Sequence, residues 1–396
     1  MPMRPCWVEI RARSLEENYR LLMSIAAGQA ELLAIVKANA YGHSLEICAP
    51  AAVRAGARWL GVSSVEEGVA ARALCPEPKV LVIGGVFAGQ GAAIVEHSLT
   101  AVVWEFGQLD ELEGAARRAG AGIGSVPVHL EVDTGMSRQG VSPHGLAPVL
   151  ARLGLGSAFR LEGVMTHLFA TDETDGRVTE EQLARLDEAL ERIEAFGLYP
   201  DWLNVGNSAA LLSGQAGRIA ALAARHGMKA MLRPGLALYG VAPLFEPRFK
   251  PGSEPEGLVA ALAGLQPVMS WKTEVVSVLA VPAGAVVGYN GTFVATEPMR
   301  LALVAAGYAD GLDRRLGNRF SLLVRGQRAP LVGRISMDQA VLDVTEIAGV
   351  EAGDEVVILG TQGGETISAF DHAEAAGTIP WEIFTRIGAR VRRVAV

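Results

Sequence analysis

Along the first half of the chain, short apolar runs alternate with stretches whose apolar residues fall three and four positions apart. That alternation predicts strands followed by amphipathic helices. The runs at 32–37, 59–63, 79–83, 100–103, 126–132, 161–166, 202–205 and 231–233 predict strands, and an earlier one, 6–10, predicts another. Helical spacing is clearest at 65–74, 108–119 and 179–196. Ser14-Leu15-Glu16-Glu17 has the capping-box pattern and predicts a helix from there to about Met23, and Thr179 with Gln182 repeats that spacing. Strand and helix alternating eight times predicts an α/β domain, an N-terminal (β/α)8 TIM-like barrel. An open doubly wound sheet would carry a regular glycine-rich phosphate turn after its first strand, and Gly84-Gly85 with Gly89 is too irregular for one.

The pattern then changes. Residues 244–258 (LFEPRFKPGSEPEGL) are rich in Pro, Gly and charge and read as a linker. Beyond it, short β-rich runs recur at 273–279, 300–304, 321–324, 340–344 and 355–359, with Arg325-Gly326 as a hairpin turn and a short helix near 367–375. The expected domains are therefore a barrel over 1–243 and an all-β, or mostly β, domain over 259–396. The strand at 6–10 could pack with either.

Composition narrows the function. With 396 residues, half of them hydrophobic and a fifth charged, the chain is long enough for two domains of ordinary globular usage. A net charge of −8 without a Lys/Arg-rich block argues against nucleic acid as a partner. Three widely spaced cysteines, Cys6, Cys48 and Cys75, form no C-x-x-C pair, and the seven histidines show no metal-ligand spacing. These features predict a metal-free protein of the reducing cytoplasm. Charges at Arg4, Glu9, Arg11 and Arg13 leave no room for a signal core. Within the longest uncharged segment, the stretch 277–296 is broken by Pro282 and three glycines, so no membrane partner is expected.

The candidate chemistry begins at Lys37, which ends the buried run of LLAIVKANAYGH (32–43). A lysine there costs desolvation free energy unless it snorkels past the strand end or is used. One use is a Schiff base with a carbonyl, which needs a neutral amine. Arg138, His167, Asn207 with Ser208, and Arg233 with Gly235 also fall at or just beyond strand C-termini, the face on which barrels build active sites. Each has a plainer reading: Ser208 as a helix cap, Gly235 as a turn residue, Arg233 as half of a structural ion pair, Tyr41 and Tyr289 as packed aromatics.

The string around Lys37 resembles the pyridoxal-phosphate lysine motif of the alanine racemase family. So do LEVDTGMSRQG (130–140), MTHLFATDE (165–173), VGNSAA (205–210), LRPGLALYG (232–240), VGYNGT (287–292), GYADGL (307–312) and GRISMDQ (333–339), all in family order. The resemblance spans nearly the whole chain. It implies an amino-acid racemase, an isomerase, using pyridoxal 5'-phosphate in a homodimer with shared sites. Lys37 would carry the cofactor and act as one base, with Tyr289 of the other subunit as the second. Tyr41, His167, Asn207, Ser208, Arg233, Gly235, Leu236 and Trp381 would hold the cofactor, Arg233 facing its pyridine nitrogen. Arg138 would approach the substrate carboxylate or the cofactor 3′-oxygen, the Met337 N–H would approach the substrate carboxylate, and Asp172, Tyr308, Arg314 and Arg334 would line the entrance.

Two positions depart from the family pattern. Glu131 stands where many relatives have a lysine carbamate that orients the arginine, and it implies the same task for an ordinary carboxylate toward Arg138. Trp381 stands where a tyrosine is common, which leaves the substrate range open. The implied reaction interconverts L- and D-alanine, for cell-wall supply or D-alanine breakdown. Racemisation of serine or another amino acid, decarboxylation on the same architecture, and a non-catalytic cofactor carrier remain alternatives.

Overall fold

A computed structural model of the chain describes residues 4–154 and 156–396. The chain divides into two compact units. One comprises Arg13–Ala40 and Leu45–Gln266, and the other Tyr41–Ser44, Pro267–Val396 and the described residues up to Ala12.

The larger unit is the expected barrel. Its strands are β2 (Ala30–Ile35), β3 (Trp59–Val62), β4 (Lys79–Val82), β5 (Thr100–Val103), β6 (Val126–Glu131), β7 (Phe159–Met165), β8 (Trp202–Asn204) and β9 (Lys229–Leu232). All pair in parallel, and β9 returns to β2 through Ala30↔Ala230, closing the ring. Closure leaves no strand edge, and side-chain alternation sends every second residue inward. One layer of that interior holds Trp59 against Trp202 in a T-shaped contact, ring centroids 5.9 Å apart. His129, fully buried, lies beside Trp59, and a Cβ on Gly163 would come within 2.6 Å of its ring. A glycine on β7 is thus what admits an imidazole to the barrel core.

The helix Ala12–Ile25 starts two residues before Ser14, so the expected capping box is not its beginning. Its buried stripe of Leu15, Asn18, Tyr19 and Leu22 governs its extent. The amide of Asn18 is fully used, donating to Leu238 and Gln266 carbonyls and accepting from the Gln266 N–H. The segment read as a linker runs into a helix at its end, Glu256–Gly264.

In the smaller unit, Cys6–Ile10 pairs antiparallel with Met269–Val281 and parallel with Arg392–Ala395, inside a nine-stranded sheet. The hairpin Ser321–Val324 and Gln327–Pro330 turns at Arg325 and Gly326, as the sequence predicts. No helix among the described residues is long and apolar enough to cross a membrane.

Candidate active site

Lys37 lies two positions beyond Ile35, the last residue of β2. The chain then makes one turn of left-handed helix. Ala38, Asn39, Ala40 and Tyr41 have φ of 53°, 52°, 55° and 52°, and Gly42 follows at 77°. Left-handed backbone costs a residue with a Cβ about 1–2 kcal/mol, so the turn persists only if its surroundings hold it. Three hydrogen bonds do so. Ala40 N–H donates to Val36 O (2.8 Å), Leu45 N–H to Asn39 Oδ1 (2.7 Å), and Ala38 N–H to Glu67 Oε1 (2.6 Å). Burial pushes the Lys37 amine below its ordinary value; Arg138 and Arg233 push the same way, and Glu67 opposes them. The barrel face thus offers an amine biased toward its neutral, nucleophilic form.

Arg233, 5% exposed, follows β9. Its Nη1 donates to the backbone and side-chain oxygens of Asn204, both at 2.7 Å. Nη2 donates to Thr166 O (2.9 Å) and faces His167 Nδ1 at 3.0 Å. A guanidinium has no acceptor, so His167 Nδ1 must accept, which leaves its proton on Nε2. Burial, then Arg233, Arg138 and Lys37, push the His167 imidazolium down to about 3, so the ring is neutral. Sequence reading missed Asn204, which nothing in its own strand distinguishes. Its amide nitrogen lies 3.5 Å from His129 Nδ1, and burial holds His129 neutral as well, at about 3.

Glu131, 2% exposed, ends β6. Its hydrogen-bond partner is the side chain of Gln139, which also reaches Ile83 O (3.3 Å). Burial pushes the Glu131 carboxyl up, offset by that hydrogen bond and then by Arg233 and Arg138. Arg138 is exposed, in a loop shaped by Asp133, whose Oδ1 accepts from Gly135 and Ser137 N–H. The sequence points from Glu131 straight to Arg138; in the structure its near contact is the residue after that arginine.

Gln182 corrects a second expectation. The helix Arg177–Ala195 begins after Gly176, so Thr179 and Gln182 are not its capping pair. Fully buried, Gln182 donates to His167 O and Thr134 Oγ1, both at 3.0 Å, and accepts from Phe169 N–H at 3.1 Å. Thr134 in turn meets Thr166, whose hydroxyl donates to Val132 O (2.8 Å). One amide therefore ties the loop after β6 to the loop after β7.

Asn207, not Ser208, caps the short helix Ser208–Leu212. Ser208 Oγ accepts from the N–H groups of Gly235 (3.0 Å) and Ala237 (3.2 Å), which leaves its own proton for an acceptor. Leu236 opens the 3-10 turn Leu236–Tyr239, so its N–H has no partner within that turn. Asp172 is exposed, and its carbonyl accepts from Glu246 N–H.

The remaining candidates belong to the smaller unit. Tyr289 is 66% exposed, so it is not the core tyrosine that the plainer reading allows. Three of the quoted motifs meet there. A Cβ on Gly307 would lie 2.4 Å from the Ser336 and Met337 carbonyl oxygens, and one on Gly333 2.8 Å from Val287 O. Tyr308 and Ala309 N–H donate to Ser336 and Met337 carbonyls, and Met337 is exposed. Arg314 is exposed, Tyr41, Arg334 and Trp381 are half-buried, and Trp381 sits in the first turn of the helix Pro380–Thr385.

Residues 10–243 match the family model of the alanine racemase N-terminal domain, and residues 268–395 that of the alanine racemase C-terminal domain. An alanine racemase of Symbiobacterium thermophilum is 38% identical over 392 residues, covering 99% of this chain and 97% of that protein. Among solved structures, an alanine racemase from D-cycloserine-producing Streptomyces lavendulae has a TM-score of 0.88 at 35% identity, covering 100% of this chain and 98% of that one. An alanine racemase of Bartonella henselae with covalently bound pyridoxal phosphate has a TM-score of 0.81 at 26% identity, with 99% of each chain covered. Two domain models matched in succession, and relatives alike along their whole length, leave one conclusion: the chain belongs to the alanine racemase family.

Proposed function

We propose that the chain racemises alanine with two opposed acid–base groups, Lys37 of one subunit and Tyr289 of its partner in a cytoplasmic homodimer. The observation that carries the reading is the Lys37 amine, half-buried and biased toward neutrality beside Arg138 and Arg233. Two groups on opposite faces of a stereocentre invert it in the fewest steps, one removing the Cα proton while the other supplies one.

Pyridoxal 5'-phosphate, when bound, withdraws electrons from the substrate Cα and so acidifies its C–H bond. The residues present fit that group. Lys37 supplies the amine. Ser208 keeps a hydroxyl proton for an anion, and the Leu236 N–H adds a donor beside it, suiting a phosphate, with Asn207 and Gly235 next to them in the chain. Tyr41 and Trp381 are the further cofactor-holding residues that the family resemblance implies. Arg233 cannot readily give up a proton, so it would leave a pyridine nitrogen held against it unprotonated, which would limit charge delocalisation and favour returning a proton over losing carbon dioxide. His167, neutral, presents Nε2–H as a donor, so cationic help to a tyrosinate comes from Arg233 and not from the imidazole. Arg138 and the Met337 N–H meet the substrate, and Asp172, Tyr308, Arg314 and Arg334 line its entrance.

The test is a panel of single L-amino acids incubated with the cofactor-loaded enzyme in deuterated water. Alanine is expected to exchange its Cα hydrogen and lose optical purity fastest. Carbon dioxide release without loss of chirality would contradict racemisation, and absence of exchange with every amino acid would favour a carrier.

Glu131 supplies a second prediction. It acts on Arg138 by charge and through Gln139, so no carbamate is required and added bicarbonate should leave activity unchanged. Glu131→Gln should lower turnover roughly ten- to hundred-fold, the size of a lost charge-assisted hydrogen bond of about 1.5–3 kcal/mol. Full activity of this variant would show that the carboxylate does not position Arg138.

A further inference from the structure

We infer that Glu67 is a positioning residue for Lys37, a two-armed clamp that holds the strained turn after the lysine and sets one negative charge beside it. The carboxylate spans two loops. Oε1 accepts from Ala38 N–H at 2.6 Å, and Oε2 accepts from Ser63 N–H at 2.9 Å, just beyond β3. Ala38 is the residue directly after Lys37 and the first of the four in left-handed conformation. Its N–H would otherwise lack a partner where the strand ladder ends and the reversed turn begins.

Glu67 is itself well held. It stands in the first turn of the helix Val65–Leu74, where the helix dipole favours an anion, and its N–H donates to the capping Ser64 at 3.3 Å. A carboxylate fixed by that helix therefore fixes the backbone beside Lys37. The charged and titratable groups around the amine are Arg138, Arg233, His167 and Glu67. His167 is neutral, and both arginines repel an ammonium. Glu67 is the anion among them and works in the opposite sense, keeping the amine from losing its proton too readily. A group that must both take up and deliver a proton needs that balance.

The inference rests on reading Lys37 as an acid–base group, but it can be tested apart from that reading. In the cofactor-free full-length chain, trace acylation by acetic anhydride across a pH series, read by peptide mass spectrometry, gives the titration midpoint of Lys37. Exposed Lys250 serves as the internal reference. Glu67→Gln keeps the shape but loses the charge and one of the two acceptors. Its Lys37 midpoint should fall by about one pH unit, so acylation below the midpoint becomes roughly tenfold faster. A merely structural role predicts the opposite sign, because a loosened turn lets water reach the amine and raises its midpoint. An unchanged or raised midpoint overturns the inference. Glu67→Asp keeps the charge on a stem too short for both arms. Its turnover should fall at least about fivefold with the melting temperature nearly unchanged, and undiminished turnover would overturn the clamp. A lowered midpoint in Glu67→Gln with full racemase activity would overturn the clamp, because one arm would be lost without consequence, and would count against Lys37 as the acid–base group.

Discussion

Lys37→Ala is expected to lower alanine racemisation by about a thousand-fold or more while leaving the barrel folded. The change removes a proton carrier, worth about 10²–10⁴-fold by itself, together with the amine that holds the cofactor covalently. Stability should hardly suffer, because the lysine is half-buried and its desolvated amine is a cost to the fold. Chiral chromatography of L- and D-alanine measures the rate, and borohydride reduction followed by peptide mapping tests the covalent site. The wild-type chain should trap cofactor on Lys37, and the variant should trap none. Trapping on another lysine, or a variant retaining a tenth of the wild-type rate, would contradict the assignment.

Tyr289→Phe is expected to lower racemisation by about 10²–10⁴-fold, with even less effect on stability. At 66% exposed, the ring packs little, and exposed substitutions usually change stability by less than about 0.5 kcal/mol. The two enantiomers of alanine have equal free energy, so the rates in both directions must fall together. Hydrogen exchange need not. With one base gone, the other can still take the Cα proton on its own face and return it there. One enantiomer should therefore exchange hydrogen in deuterated water without inverting, while the other stays inert. Equal exchange from both enantiomers would mean that one group serves both faces.

The helix Val65–Leu74 and the strand Thr100–Val103 have the limits that hydrophobic spacing predicts, and the other barrel strands differ by a few residues at their ends. Spacing reports on one element at a time. It therefore found the residues at strand C-termini but not those that reach them from elsewhere. Glu67 serves a turn 29 positions earlier, Gln182 a carbonyl 15 positions earlier, and Asn204 an arginine 29 positions later. Both capping expectations failed for one reason: the buried stripe of a helix sets its extent, and a Ser or Thr three residues from a Glu or Gln occurs inside helices as well. The reversed turn was signalled only in part, by Asn39 and Gly42, which mark a turn and tolerate positive φ. Alanine rarely adopts left-handed backbone, so Ala38 and Ala40 gave no hint that Lys37 is followed by four such residues. What the family motifs suggest, and spacing could not, is the proposed active site completed by two chains.

That claim has a direct test. Lys37→Ala and Tyr289→Phe chains, each nearly inactive, are mixed under conditions in which subunit exchange is verified by mass-labelled chains. In a mixed dimer, sites that pair one chain's Lys37 with its partner's Tyr289 give one fully wild-type site and one doubly altered site. Activity should then return to about half the wild-type value per mixed dimer. No recovery, with exchange verified, would contradict an active site completed by two chains.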